Sequence, residues 1–227
     1  ASNYGTSGII DVPDARMLND GDLRITLSNK EIANITNITY QATPWLQTTF
    51  RYNYGAFKDR SLAAKARILP ESRYIPQISI GVRDMLGTGI WGSEYLVANK
   101  RISNFDVTLG LGWGRLSEKN SFSNPLKSFN SAFSSRRDEF LLGDQSGGGQ
   151  PRTKSFFRGE NVGLFGGLKY RIPNSRTEFL VEFNSDSYEK EISVGALDRS
   201  SSVSYGFRWK PTDNLELQLS HNRDQDF

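Results

Sequence analysis

Hydrophobic and polar residues alternate along this chain from Asp22 almost to its end, and no segment carries a convincing helical stripe. The clearest stretch is Phe105–Gly114. Phe105, Val107, Leu109, Leu111 and Trp113 fall on one face; Asp106, Thr108, Gly110, Gly112 and Gly114 fall on the other. Residues 202–210 repeat the design, with Val203, Tyr205, Phe207 and Trp209 against Ser204, Gly206, Arg208 and Lys210. Near the end Leu215, Leu217 and Leu219 oppose Glu216, Gln218 and Ser220, and Phe179, Val181 and Phe183 oppose Glu178 and Glu182. Weaker copies at 23–28, 37–41, 46–53, 62–68, 78–83, 94–99 and 162–170 bring the total to about eleven strands.

The connections predicted between these strands fall into two classes. Segments 43–44, 70–76, 100–104, 171–176 and 210–214 are short and carry turn residues; 54–60, 185–201 and above all 116–160 are longer and polar. Apart from shorter links near Lys30 and Gly87, the classes alternate along the chain, as they do in outer-membrane barrels, which have short turns on one side and long loops on the other. Trp45, Trp91, Trp113 and Trp209 lie at or near predicted strand ends, where an interfacial girdle would sit; the alternative is the core of a sandwich.

Composition sharpens the picture. No run approaches 18 apolar residues, which excludes a transmembrane helix and leaves the barrel as the way across a bilayer. The mean hydropathy of −0.52 is compatible with strands that alternate lipid-facing and lumen-facing residues. The 28 basic and 25 acidic residues are mixed, without the basic run of a nucleic-acid site. The absence of cysteine removes disulfides, thiolate metal sites and a lipidated N-terminal Cys. The expected fold is all-β, an antiparallel transmembrane β-barrel of about 11–12 strands. Residues 22–227 would form the barrel with a long external loop at 116–160, and residues 1–21 are a candidate to fold into the lumen. An odd count of strands means either a strand hidden before Asp22 or a fragment whose closing strand lies beyond Phe227, and the second is preferred.

The inward-facing candidates are Arg24, Arg51, Lys65, Arg67, Arg83, Glu94, Asp106, Lys169, Glu178, Glu182, Arg208 and Glu216. Such a lining can hold a solvated path for a charged or hydroxyl-rich polymer, or knit itself shut through salt bridges. The closed lumen is preferred, because a barrel of roughly twelve strands is narrow. Gly110, Gly112 and Gly114 leave a bare inner strip on which residues 5–8 or the 116–160 loop would lie, or else they only relieve crowding. Gly87-Thr88-Gly89 reads as a tight turn flanked by Asp84 and Glu94, which would act as lumen or rim charges or pair with Arg83 or Arg101.

Catalytic chemistry finds little support. The single histidine, His221, alternates with Leu217 and Leu219 and so points outward, away from any carboxylate partner. No His/Cys cluster suggests a metal. Asp186, Glu189 and Glu191 suit a weak calcium site or, more commonly, a solvated acidic loop. The 116–160 loop carries Phe122, Phe129, Phe133 and Phe140, then Arg136-Arg137 and Gly147-Gly148-Gly149; it could fold over the mouth or meet lipopolysaccharide phosphates through its arginines. No enzyme activity and no cofactor are expected.

Several motifs stand out along the chain: residues 5–18 (Gly-Thr-Ser-Gly-Ile-Ile-Asp-Val-Pro-Asp-Ala-Arg-Met-Leu) with Asp20-Gly21, then Ile80-Gly81-Val82-Arg83-Asp84, Gly87-Thr88-Gly89 and Ser93-Glu94-Tyr95-Leu96-Val97-Ala98. The glycine-rich strand Phe105–Gly114, Phe157-Arg158-Gly159, Phe165-Gly166-Gly167 and Asn184-Ser185-Asp186-Ser187-Tyr188 follow in order. Together they resemble the motifs of the YjbH/GfcD exopolysaccharide-biosynthesis family. The resemblance implies a bacterial outer-membrane barrel associated with exopolysaccharide or capsule machinery. Its implied partners are outer-membrane lipid, polysaccharide and other secretion proteins. Family members are longer than this chain and some are lipoproteins. Two other readings stand beside it: a barrel-scaffolded envelope hydrolase, which needs His221 among polar partners, and a soluble carbohydrate-binding β-sandwich.

Overall fold

The computed structural model describes residues 1–30, 33–54, 58–136, 153–193 and 201–221. They form one antiparallel sheet of twelve strands. In chain order these are β1 (Leu23–Lys30), β2 (Ala33–Thr43), β3 (Leu46–Asn53), β4 (Asp59–Leu69), β5 (Gln77–Arg83) and β6 (Ser93–Ile102). Then come β7 (Phe105–Gly114), β8 (Ser121–Ser123), β9 (Asn161–Arg171), β10 (Thr177–Phe183), β11 (Val203–Trp209) and β12 (Leu217–His221). Eleven follow one another as neighbours; β8 stands off that path and pairs with β9 beyond the end of β7. The 116–160 segment, expected to be a loop throughout, therefore also contributes a short strand, together with 3₁₀ turns at Pro125–Ser128 and Ser131–Phe133. No strand lies in residues 1–21, which contain only an isolated bridge between Gly8 and Pro13.

The pairing register keeps like with like. On the outer face Ile38 stands opposite Ile25 on one side and Phe50 on the other, and Phe179 opposes Phe207 and Tyr170. On the inner face Arg51 opposes Asn37 and Ser61, and Lys65 opposes Gln47 and Gly81. A slip of one residue would turn every apolar side chain of a strand inward, so the alternation itself fixes the pairing. Because the sheet is a meander, its connections alternate ends: one, the short-turn end, carries 44–45, 70–76, 103–104, 172–176 and 210–216, and the other carries 31–32, 54–58 and the three longest segments, 84–92, 115–160 and 184–202.

The inner face is packed by the chain's own first residues. Ser2 and Tyr4 to Ala15 are buried. They hydrogen-bond with the inner side chains Thr39 of β2, Gln47 of β3, Asn99 of β6, Glu182 of β10 and Arg208 of β11. One short segment can touch strands from both ends of the order only if the sheet curls around it. An apolar core joins Ile9, Ile10, Val12 and Ala15 to Tyr95, Val97, Leu116, Phe165 and Leu180. Among the described residues no ladder joins β1 to β12, so the curled sheet is not closed by hydrogen bonds.

Two tryptophans depart from the expected girdle. Trp45 and Trp209 are 52% and 46% exposed at the short-turn end, but Trp91 and Trp113 are buried. Trp91 belongs to the segment between β5 and β6 and packs on Tyr4 inside the sheet. Trp113 keeps its outward parity, yet the returning loop covers it with Phe157, edge to face at 5.1 Å.

Candidate functional site

At the end of the longer connections the interior is built from arginine and aromatic rings. Among the described residues the buried Arg51 guanidinium has no hydrogen-bond partner and lies 4.4 Å from the Trp91 ring and 4.9 Å from that of Tyr4. Arg83 sits 4.0 Å from the Tyr4 ring and donates to the Asp11 carbonyl at 2.8 Å. Desolvated cation–π contacts are worth about 2 kcal/mol each, which helps offset the cost of burying these cations. Arg115, just past β7, donates to both oxygens of Asp186 at 2.9 Å and to Glu191 at 2.9 Å and 3.0 Å. Burial would lower its affinity for the proton, but the charges of Asp186, Tyr4 and Glu191 outweigh this and hold it well above the usual arginine range. The acidic segment expected to be solvated is thus folded inward onto one arginine. Tyr188 donates to Asp11 at 2.5 Å, fastening the same segment to the N-terminal residues; burial first, then the Asp11 charge, push its phenol well up.

Midway, the turn closed by Ile9 N–H to the Val12 carbonyl presents three successive N–H groups. Those of Ile10, Asp11 and Val12 all donate to Glu182 Oε2, at 2.7, 2.8 and 2.9 Å. A carboxylate held by three backbone donors anchors the segment to β10.

The short-turn end is an ion-pair network. Asp14 pairs with Lys169 at 2.6 Å and faces Lys65 at 3.9 Å, while Lys65 also donates to the Arg16 carbonyl at 2.6 Å. Lys169 reaches Asp106 at 3.1 Å, and Arg16 bridges Asp106 at 2.7 Å to Glu71 at 2.5 Å. Burial would raise the Asp14 carboxyl, but Lys169 and Lys65 together hold it below the usual range. Arg208 donates to the carbonyls of Ile9 at 2.7 Å and Gly8 at 3.1 Å, and lies 3.4 Å from Glu178 and 3.5 Å from Glu216. Beneath this network a cavity of about 260 Å³ opens at the short-turn end.

Eleven of the twelve inward candidates lie on the inner face. Arg51, Lys65, Arg83, Asp106, Lys169, Glu182 and Arg208 are buried; Arg24, Arg67, Glu178 and Glu216 are half-buried. Glu94 does not. Its register partners Val82 and Trp113 belong to the outer face, and Tyr95 takes the inner position beside Gly81. Glu94 is buried because the loop folds over it: Arg136 pairs with it at 2.7 Å and 3.1 Å, and the Phe157 N–H donates at 2.9 Å. Arg136 is thus turned onto the sheet and not toward a lipid phosphate; Phe140, Arg137 and Gly147 to Gly149 lie outside the described residues. Asp84 accepts the Trp91 N–H at 3.1 Å.

The bare glycine strip is filled by the chain itself. A Cβ on Gly110 would stand 2.2 Å from the Phe165 ring, and one on Gly112 would stand 2.3 Å from Leu116. Of the two segments expected there, the start of the 116–160 loop lies on the strip, whereas Gly5 lies against Asn37 and Thr49. Asp14, Arg16, Arg115 and Tyr188 were missed by the alternation because they stand outside strands. His221 stacks against its outer-face register partner Tyr205 at 5.3 Å. Among the described residues no group of three His, Cys, Asp or Glu side chains could hold a metal.

A meander with an apolar outside, a polar inside and its own first residues as filling defines the class. Consistent with the motifs above, the YjbH family model, described as exopolysaccharide biosynthesis protein YbjH, matches residues 1–227, and the chain belongs to that family. Among curated proteins it is similar to "Uncharacterized lipoprotein YjbH" of Escherichia coli (strain K12), with 31% identity over 241 residues. That match covers 100% of this chain but 34% of the relative, so the chain spans well under half of that protein's length. No solved structure matches.

Proposed function

We propose that this chain is a noncatalytic, membrane-spanning β-barrel region in the bacterial outer membrane. It would serve exopolysaccharide secretion with a lumen closed by its own N-terminal segment. One observation carries the reading: the sheet is apolar where it is exposed and polar where it is buried. Leu23, Ile25, Leu27, Leu109, Tyr205 and Leu219 are each at least 60% exposed, while Lys65, Glu182 and Asn99 are fully buried. In water so extensive an apolar face would drive aggregation; in lipid it is the favourable solvent contact. No helix among the described residues is long and apolar enough to cross a membrane, which leaves strands as the crossing elements.

Dimensions agree. β2, β4 and β9 have 11 residues and β6 and β7 have 10. At about 3.3 Å per residue and a tilt of about 40°, such strands rise roughly 25–28 Å, which matches the apolar band of about 25 Å in outer-membrane barrels. Exposed Trp45, Phe105 and Trp209 ring the short-turn end, where an aromatic belt would meet the interface. The carbohydrate connection comes from the description of the family. A sandwich would need a second sheet to cover the apolar face, and among the described residues His221 stacks outward on Tyr205 and pairs with no carboxylate.

Heat-modifiable gel migration of detergent-extracted protein tests the reading. A compact species that shifts on boiling is expected; a chain that stays in water without detergent and shows no shift overturns it. In planar bilayers the closed lumen predicts no steady conductance, and large stable channels would overturn that part.

A further inference from the structure

We infer that the cavity at the short-turn end is a binding site for an anionic saccharide, a sugar unit carrying a carboxylate. The inference rests on the exopolysaccharide reading and names its ligand chemistry.

The lining holds seven basic side chains and four acidic ones. Three of the bases are already committed: Arg16 to Asp106 and Glu71, Lys169 to Asp14 and Asp106, and Arg208 to the carbonyls of Gly8 and Ile9. The other four are Arg24, Arg101, Arg171 and Lys210, at the accessible side. Among the described residues Arg24 and Arg101 form no ion pair. Arg171 is 54% exposed and reaches Glu178 at 3.3 Å, and Lys210 reaches Glu216 only at 3.7 Å. The acids are spent inside the network, so positive charge converges on the open space.

Two further features select the ligand. The guanidinium forks of Arg24 and Arg101 match a carboxylate bidentately, and Ser103 and Asn104 offer partners for hydroxyls. Among the described residues no aromatic ring lines the cavity, so none stacks on a neutral sugar, and charge supplies the recognition. A volume of about 260 Å³ lies just under the roughly 300–1,000 Å³ of drug-sized pockets, which suits one sugar unit. The N-terminal segment closes the inner wall, so the unit docks from the short-turn side and does not pass through.

Isothermal titration of the full chain in detergent, with trigalacturonate, maltotriose and inorganic phosphate in turn, tests the site. Trigalacturonate should bind about tenfold or more tighter than either of the others, and raised salt should weaken it. The Arg24→Ala/Arg101→Ala variant should lose about tenfold, because neither guanidinium is held in an ion pair among the described residues. If that variant loses its heat-modifiable shift, Arg171→Ala/Lys210→Ala takes its place. Equal binding of maltotriose overturns the site, as does phosphate binding as tight as trigalacturonate, or a folded variant with unchanged affinity. A heat-modifiable chain that ignores trigalacturonate overturns the site and leaves the barrel standing. A chain that binds trigalacturonate without any heat shift overturns the barrel alone.

Discussion

Lys169 on β9 and Asp14 in the N-terminal segment, 155 residues apart in sequence, meet at 2.6 Å inside the curled sheet. Their pairing joins the wall to its filling, because Asp14 also faces Lys65 on β4 from the opposite side of the strand order. The single carboxylate thus lies between two buried ammonium groups, and Asp106 supplies Lys169 with a second negative charge at 3.1 Å.

Replacing Asp14 with Asn should cost about 3 kcal/mol or more, since it leaves buried lysine charge uncompensated. Urea unfolding in detergent micelles measures this. The double variant Asp14→Asn/Lys169→Met should recover part of the loss; a double variant no better than the single would show that the pair is not the unit that matters.

Acid should loosen the same contact. The folded-state pKa of Asp14 is held below its unfolded value by Lys169 and Lys65, against the opposing effect of burial. Its stabilisation is therefore complete above the ordinary carboxylate pKa of about 3.9 and fades as pH falls through the lower folded-state value. The heat-modifiable species should weaken on that limb in the wild type, with a shallower acid dependence in Asp14→Asn. Identical acid profiles for the two proteins would contradict the assignment.

Glu182 makes a sharper test of the filling. Glu182→Ala removes the acceptor of three backbone N–H groups, each costing about 1–3 kcal/mol if left unsatisfied. Glu182→Gln keeps an oxygen there and should be milder. Protease cleavage between residues 8 and 13, read by mass spectrometry, should accelerate in the alanine variant first. Equal resistance in both variants would mean that the anchor lies elsewhere.

The outer face and the glycine strip give opposite mutational signatures. Leu109→Arg places a cation on the 64% exposed outer face of β7 and should cost about 2–4 kcal/mol if that face meets the bilayer midplane. In a water-exposed sheet the same change would be neutral. Gly110→Ala, one residue on, drives a Cβ to 2.2 Å from the Phe165 ring and should cost about 1–3 kcal/mol, with Phe165→Leu restoring part of it.

The strands were legible because an antiparallel sheet with unlike solvents on its two faces writes its period directly into the sequence. That period located the strands and set the inward direction of residues such as Arg51, Lys65 and Glu182, while the order and register of the eleven-strand path came from the folded sheet. The period failed at Glu94 because the inner positions beside it, Tyr95 and Val97, are apolar and pack against Ile9 and Ile10 of the filling, so polarity does not mark the inward face there. The loop carrying Arg136 and Phe157 buries an outer-face carboxylate, and nothing local to Glu94 announces it. Trp113 is covered by the same loop.

The alternation beginning at Asp22, the absence of any long apolar run and the even mixture of charge thus belonged to the sequence alone, since each follows from one-residue spacing or composition. Which acid meets which base was decided by tertiary structure. Asp14, Arg16 and Arg115 lie outside strands, and their partners at Lys169, Glu71 and Asp186 are distant along the chain. Burying a charge demands an opposite charge within a few ångströms, and only the curling of the sheet around residues 1–18 brings those pairs together.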